Sequence, residues 1–223
     1  MADLHYLPVS LGEAMDKLSI LDIKLEKIED ERRNNVEIEF NLLFKMLETD
    51  ITKYNLFYKI MKIVNLEIWD LMNLLRDANE FNNEYMILCK ECIIKNDIRF
   101  RIKNKINFTS NCSLKEQKGY KKLGILFDLR NEKLNNIDLI KPIKYYSFLY
   151  DEIVILSNIY NKDLFEKEFS YDPTINIILE PLEKNIIYKK VFNLQKLSDT
   201  SLENIYKILE ITEEIISYYF NNF

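Results

Sequence analysis

Glycine and histidine are scarce in this chain of 223 residues, with 3 Gly and 1 His. So few glycines leave no Gly-rich loop to cradle a phosphate. A single histidine removes His-based metal sites and any nucleophilic triad that needs an internal imidazole. A basic surplus is absent too: 31 Lys+Arg face 36 Asp+Glu, a net charge of -5, so no global field draws the chain to nucleic acid or anionic lipid. No apolar run approaches the ~20 residues of a spanning helix, and MADLHYLPVS lacks a basic segment followed by an apolar one. No membrane span is expected, and a cytoplasmic location is. Cysteine is limited to Cys89, Cys92 and Cys112. The C-x-x-C lies within the helical pattern MILCKECII and not at a strand-to-helix turn, which favours small core thiols in a reducing compartment over a zinc or redox pair. No cofactor or metal is expected.

The chain is rich in apolar (48%), charged (30%) and aromatic (13%) residues, the mixture of a folded globular protein. Heavy use of Ile, Asn, Lys and Tyr is read as the mark of an A+T-rich coding sequence, which weakens arguments from lysine or asparagine abundance. Ser10-Leu11-Gly12-Glu13 has the form of a capping box, and a helix is expected from Leu11. Leu11, Ala14, Met15, Leu18, Leu21, Leu25 and Ile28 give it one apolar stripe. A break at Asn34 and Asn35 precedes a second helix with Ile38, Leu42, Leu43, Met46 and Leu47, and a turn is expected near Asp50 to Tyr54. A third helix carries Leu56 to Leu75, and a fourth carries Tyr85 to Ile106. Short connections suit an antiparallel bundle over 1–120.

Beyond Cys112 the pattern changes. GILFDL (Gly124 to Leu129), DEIVILS (Asp151 to Ser157) and TINIILE (Thr174 to Glu180) are strand-length apolar runs separated by helical segments, and Ser201 to Phe220 reads as one closing helix. The expected fold is mainly α: an antiparallel helical bundle, then a three-stranded parallel β/α unit and a C-terminal helix over 121–223.

Two polar constellations stand out. Glu13, Lys17, Lys24, Lys27 and Glu31 fall within about 40° of one line on the first helix, a charged stripe beside the apolar one. Glu13 and Lys17 are spaced for an i,i+4 ion pair on an exposed face. Asn96, Asp97, Arg101, Lys103, Asn104 and Lys105 follow the apolar part of the fourth helix. A solvated helix end is one reading; a phosphate or carboxylate held by Arg101 and Lys103 is the other.

PVSLGEAMDKLSILDIKLEKI (Pro8 to Ile28), VNLEIWDL (Val64 to Leu71), KNDIRFRIKNKIN (Lys95 to Asn107) and LKEQKGY (Leu114 to Tyr120) resemble, in order and spacing, an uncharacterised bacterial and viral domain family. Its members are encoded beside, or fused to, glycosyltransferases of surface-polysaccharide assembly. The resemblance places Glu13, Asp16, Lys17, Lys24, Asn96, Asp97, Lys103, Asn107, Glu116, Lys118 and Tyr120 at motif positions, and all of these but Glu116, together with Arg101, form the candidate ligand-binding set. Gly124 to Glu180 resembles, more loosely, the opening β/α units of heptosyltransferase-like glycosyltransferases. Arg130-Asn131-Glu132-Lys133-Leu134-Asn135 replaces the glycine-containing loop of those enzymes, and too few residues follow Glu180 for a second nucleotide-sugar domain.

Three functions follow as expectations. The first is a non-catalytic accessory or interaction protein of glycan assembly, with a glycosyltransferase partner. The second is an enzyme or binder of a phosphorylated sugar or nucleotide-sugar, with Lys17, Lys24, Arg101 and Lys103 as an anion clamp. The third, from the family's viral members, is a viral structural component, placed in the host cytoplasm or the virion. An apolar, tyrosine-rich bundle also suits homodimerisation through an exposed patch.

Overall fold

The computed structural model describes residues 5–119, 122–131, 134–179, 188–195 and 197–220. The chain divides into two compact units, residues 1–117 and 118–223.

Unit 1 holds four helices: α1 (Leu11–Lys27), α2 (Arg32–Lys53), α3 (Asn55–Asp77) and α4 (Asn83–Thr109). Helix α1 starts where the Ser10 hydroxyl accepts the Glu13 backbone N–H at 3.2 Å, the first half of the expected capping box. The core is made by Met15, Leu18, Leu21 and Ile23 of α1, Ile60, Met61 and Val64 of α3, and Ile98, Ile102 and Ile106 of α4. Helix α1 packs on the other three helices, and α3 packs on α4. Helix α2 begins before the expected break, so Asn34 and Asn35 lie inside it. The start signal is Asp30, whose carboxylate accepts the Arg32 N–H at 3.0 Å and pairs with its guanidinium. Leu47 alone of the α2 residues is buried. Helix α4 stops at a left-handed Asn111 (φ 55°), a conformation asparagine tolerates well, with the Cys112 N–H returning to the Asn107 carbonyl at 2.9 Å.

Unit 2 is built on a parallel sheet of β1 (Gly124–Leu129), β2 (Glu152–Ser157), β3 (Ile175–Ile178) and β4 (Tyr188–Asn193), in the order β3-β2-β1-β4. Helix α5 (Asn136–Leu149) connects β1 to β2, and α6 (Ile159–Phe169) connects β2 to β3. Among the described residues the sheet therefore has four strands where three are expected. YKKVFN escapes the apolar-run criterion because it is an edge strand: its buried Phe192 alternates with exposed or half-buried Lys189, Lys190 and Val191. The closing helix is also two, α7 (Leu202–Ile208) and α8 (Glu213–Phe220). Glu210 adopts a left-handed φ of 53° that ends α7, and Thr212 accepts the Ile215 N–H to start α8. Ile125, Phe127, Ile153, Ile155, Phe165 and Phe192 centre an apolar core that also takes in Ile205, Leu209 and Ile216 of the C-terminal segment. The Tyr146 hydroxyl donates to the Leu209 carbonyl and ties α5 to the end of α7.

Candidate functional site

The candidate site is a polar cluster inside unit 1, where α1 crosses α4. Gly12 makes the crossing close: a Cβ there would stand 2.3 Å from the Lys103 carbonyl oxygen and 2.9 Å from Asn107 Oδ1. The Gly12 N–H instead donates to Asn107 Oδ1 at 2.7 Å. One turn up α4, Lys103 Nζ lies 2.9 Å from Glu13 Oε2, 2.6 Å from Glu116 Oε2 and 4.0 Å from Asp16 Oδ2. One turn further, Arg99 Nε is 3.8 Å from Asp16 Oδ2. From α3, Asn65 Nδ2 donates to Asp16 Oδ1 and to Ser19 Oγ, each at 2.8 Å. The segment after α4 is held as well, since Asn104 Nδ2 donates to the Glu116 carbonyl at 3.2 Å. Three helices and the chain up to Gln117 thus meet on one lysine and one aspartate.

Burial sets the electrostatics. The Asp16 and Lys103 side chains are 4% and 8% exposed. Burial pushes the Asp16 carboxyl above its ordinary range, and the Asn65 hydrogen bond and the Arg99 and Lys103 charges only partly offset it. Burial works against the Lys103 ammonium, but hydrogen bonds to Glu116 and Glu13 outweigh it and raise its pKa. Glu13, Asp16 and Glu116 supply three carboxylates against Lys103 and Arg99, so the cluster has no surplus positive charge to offer an anion. The N-terminus of α1 is not an anion site either, because Asn107 and Ser10 take the Gly12 and Glu13 N–H groups.

Of the residues singled out in the sequence, Glu13, Asp16, Lys103 and Asn107 converge here, joined by Glu116. Lys17 does not: it pairs with Glu39 of α2 at 2.7 Å, both side chains exposed, so the expected Glu13–Lys17 pair is replaced by two pairs between helices. Lys24 is half-buried two turns further along α1 and enters none of the cluster's contacts. Asn96 shares the Lys103 face of α4 and donates to the Cys92 carbonyl at 2.9 Å. Asp97 is half-buried and Arg101 is buried, but about 120° and 160° of helix rotation separate them from Lys103. Lys17, Lys24, Arg101 and Lys103 therefore do not form one clamp. Lys118 is exposed and belongs to unit 2, and Tyr120 lies outside the described residues. An open groove of unit 1 lies elsewhere, lined by Leu74, Asp77, Asn82, Glu84 and Tyr85 around the turn between α3 and α4. Among the described residues no group of three or more His, Cys, Asp or Glu is placed to hold a metal ion. Cys92 Sγ lies 3.7 Å from Met72 Sδ, between α3 and α4.

Sequence reading missed Gly12, Ser19 and Asn65 as members of the site. Asn65 carried a usable signal: it sits next to Val64 on the apolar face of α3, where a polar side chain needs a buried partner. Gly12 carried one too, as the single glycine of the long helices, placed where only the absence of a Cβ permits the crossing.

In unit 2, an open parallel sheet of this order places its topological switch point at the carboxyl ends of β1 and β4, the usual ligand crevice. Here the chain spans that crevice with its own side chains. Arg130 folds back on Asp128 in a two-pronged pair at 2.8 and 2.6 Å and reaches Gln195 Oε1 at 3.3 Å. Asn131 Nδ2 donates to the Leu194 and Leu197 carbonyls at 3.2 and 2.9 Å.

No family model matches the chain, and no solved structure does. It is similar to an uncharacterised protein of Methanocaldococcus jannaschii, with 31% identity over 188 residues, 82% of this chain. The chain spans 31% of the length of that relative. A match of that length takes in residues of both units, since neither exceeds 117 residues. No described helix is long and apolar enough to cross a membrane.

Proposed function

We propose that the protein is a non-catalytic accessory or interaction protein of surface-glycan assembly, working in the cytoplasm through an antiparallel helical bundle that docks on a glycosyltransferase. The observation that carries this reading is the saturation of Lys103. Its ammonium is the centre of the motif positions that converge, and it meets three carboxylates of its own chain. The motif residues that converge are thereby committed to joining α1, α3, α4 and the segment to Gln117. The crevice of unit 2 is likewise occupied by Arg130 and Asn131. Apolar surface is what unit 1 leaves outside: Ile38, Leu42 and Met46 recur every four residues along α2, and all are exposed. The association with glycan assembly rests on the family resemblance of Pro8 to Tyr120.

The test uses the full chain, tagged, as bait in an extract of its native source. Recovery of a glycosyltransferase or another glycan-synthesis enzyme, reduced by Leu42→Glu, is the expected result. Recovery of none overturns the docking reading. Thermal shift against nucleotide-sugars and sugar phosphates at millimolar concentration should leave the melting temperature unmoved. A rise would mark ligand binding to the folded state and favour a sugar-phosphate binder.

A further inference from the structure

The joint around Lys103 uses neither the C-x-x-C of α4 nor Asn96. Cys89, Cys92 and Asn96 fall within about 60° of helix rotation, and all three are half-buried. Cys92 turns toward α3, where its thiol donates to the half-buried thioether of Met72, Sγ to Sδ 3.7 Å. Asn96 Nδ2 lies 3.7 Å from the same Cys92 sulfur while donating to the Cys92 carbonyl at 2.9 Å. Cys89 shares a hydrogen bond with the Tyr85 side chain one turn back. Three sulfur side chains from two helices are thus gathered at one place.

The spacing decides what this cluster can do. Residues three apart on a helix hold their Cβ atoms about 5–6 Å apart, whereas a disulfide spans roughly 3.5–4.5 Å, so joining Cys89 to Cys92 would distort α4. A metal ion covers the longer span, because it inserts two bonds of about 2.3 Å between the sulfurs. Two sulfurs on one such ion stand about 3.8 Å apart at a near-tetrahedral angle. Cys92 and Met72 already stand at 3.7 Å.

We infer that Cys89, Cys92 and Met72 form a binding site for one Cu(I) ion, held by two thiolates and a thioether. Soft sulfur ligands of this kind select Cu(I). Zinc takes Cys, His, Asp or Glu, normally four of them, and among the described residues no three such groups are placed together. On binding, both thiols release their protons to solvent, and the ion keeps its oxidation state. Asn96 Nδ2 remains as a donor to the Cys92 sulfur and steadies the thiolate. Cys92 lies about 16 Å along α4 from Lys103, so the inference stands apart from the joint and from the glycosyltransferase reading.

The test is titration of the reduced full chain, under argon, with Cu(I) supplied as its bicinchoninate complex, whose visible absorbance falls as the protein takes the ion. Uptake of one Cu(I) per chain is expected, with a higher melting temperature for the loaded protein. Cys89→Ser and Cys92→Ser should each weaken uptake at least ~100-fold, and the volume-conserving Met72→Leu at least ~10-fold. Cys112→Ser should leave it unchanged, because Cys112 lies beyond the far end of α4, more than about 25 Å from Cys92. An excess of Zn(II) should not displace the copper. The ion-free variants should keep the wild-type circular dichroism spectrum. No uptake, uptake that Met72→Leu leaves intact, equal loss with Cys112→Ser, or displacement by zinc would each overturn the proposal.

Discussion

The core of unit 2 is drawn from apolar and aromatic side chains alone, from Ile125 on β1 to Ile216 on α8. Its buried polar groups stand at strand ends, in turns or, for Ser147, within α5, where they satisfy local or backbone partners. Asp172, for example, accepts both the N–H and the hydroxyl of Thr174. Unit 1 places Asp16, Ser19, Asn65, Lys103 and Asn107 between its helices, at 6% exposure or less, and uses them as the joint. The difference shows two ways of fixing a fold. Apolar burial is non-directional and gives unit 2 its stability. The hydrogen bonds and ion pairs of unit 1 have required partners and positions, so they set which turn of α1 meets which turn of α4.

Breaking each interior should give a different signature, and the effects fall in a definite order. Truncating Phe165, fully buried in unit 2, to Ala should cost about 4 kcal/mol in urea unfolding followed by circular dichroism, with little dependence on pH. Gly12→Ala in unit 1 should cost about 3 kcal/mol, because the new methyl collides with backbone of α4 and forces the helices apart. Trp69, the single tryptophan of the chain, lies on α3 and offers a fluorescence probe of unit 1. Asn107→Ala should cost about 2 kcal/mol by the same probe, since it leaves the Gly12 N–H without its acceptor.

The smallest change sharpens the comparison through pH. The folded-state pKa of Asp16 lies above its ordinary 3.8, so the native state binds this proton more tightly than the unfolded chain does. The contribution of Asp16 to stability is therefore greatest below pH 3.8 and is lost as pH rises through the raised folded value. Asp16→Asn should change stability at neutral pH by no more than about 1 kcal/mol, burial relief opposing the lost pairing with Lys103, and should remove this pH-dependent component. An unchanged pH profile would contradict a buried, titrating Asp16.

These differences also decide what was readable in advance. The start of α1 followed from Ser10 and Glu13, and β1 and β2 followed from uninterrupted apolar runs, because local chemistry and burial agree in those segments. Strand β4 was hidden by Lys189 and Lys190, which suit an edge and disguise it. The break at Glu210 was hidden because nothing in its side chain announces a left-handed residue. The candidate site was legible only in part. Glu13 and Lys17 look like neighbours on one helix face, yet each takes its partner from another helix, Lys103 for one and Glu39 for the other. Which helix lies beside which face is a property of packing between segments far apart in sequence, and the one-dimensional pattern carries no record of it.

Replacing Lys103 with Met tests the central claim most directly, because it keeps most of the side-chain volume and removes the charge at which the helices meet. As the joint of unit 1, Lys103 is predicted to contribute enough that Lys103→Met lowers the unfolding free energy by about 3 kcal/mol, read from Trp69 fluorescence in urea, by leaving Asp16 and Glu116 without their cation. An unfolding midpoint that stays put or rises would contradict this, since a charge kept for a ligand at the expense of the fold gives that result when removed.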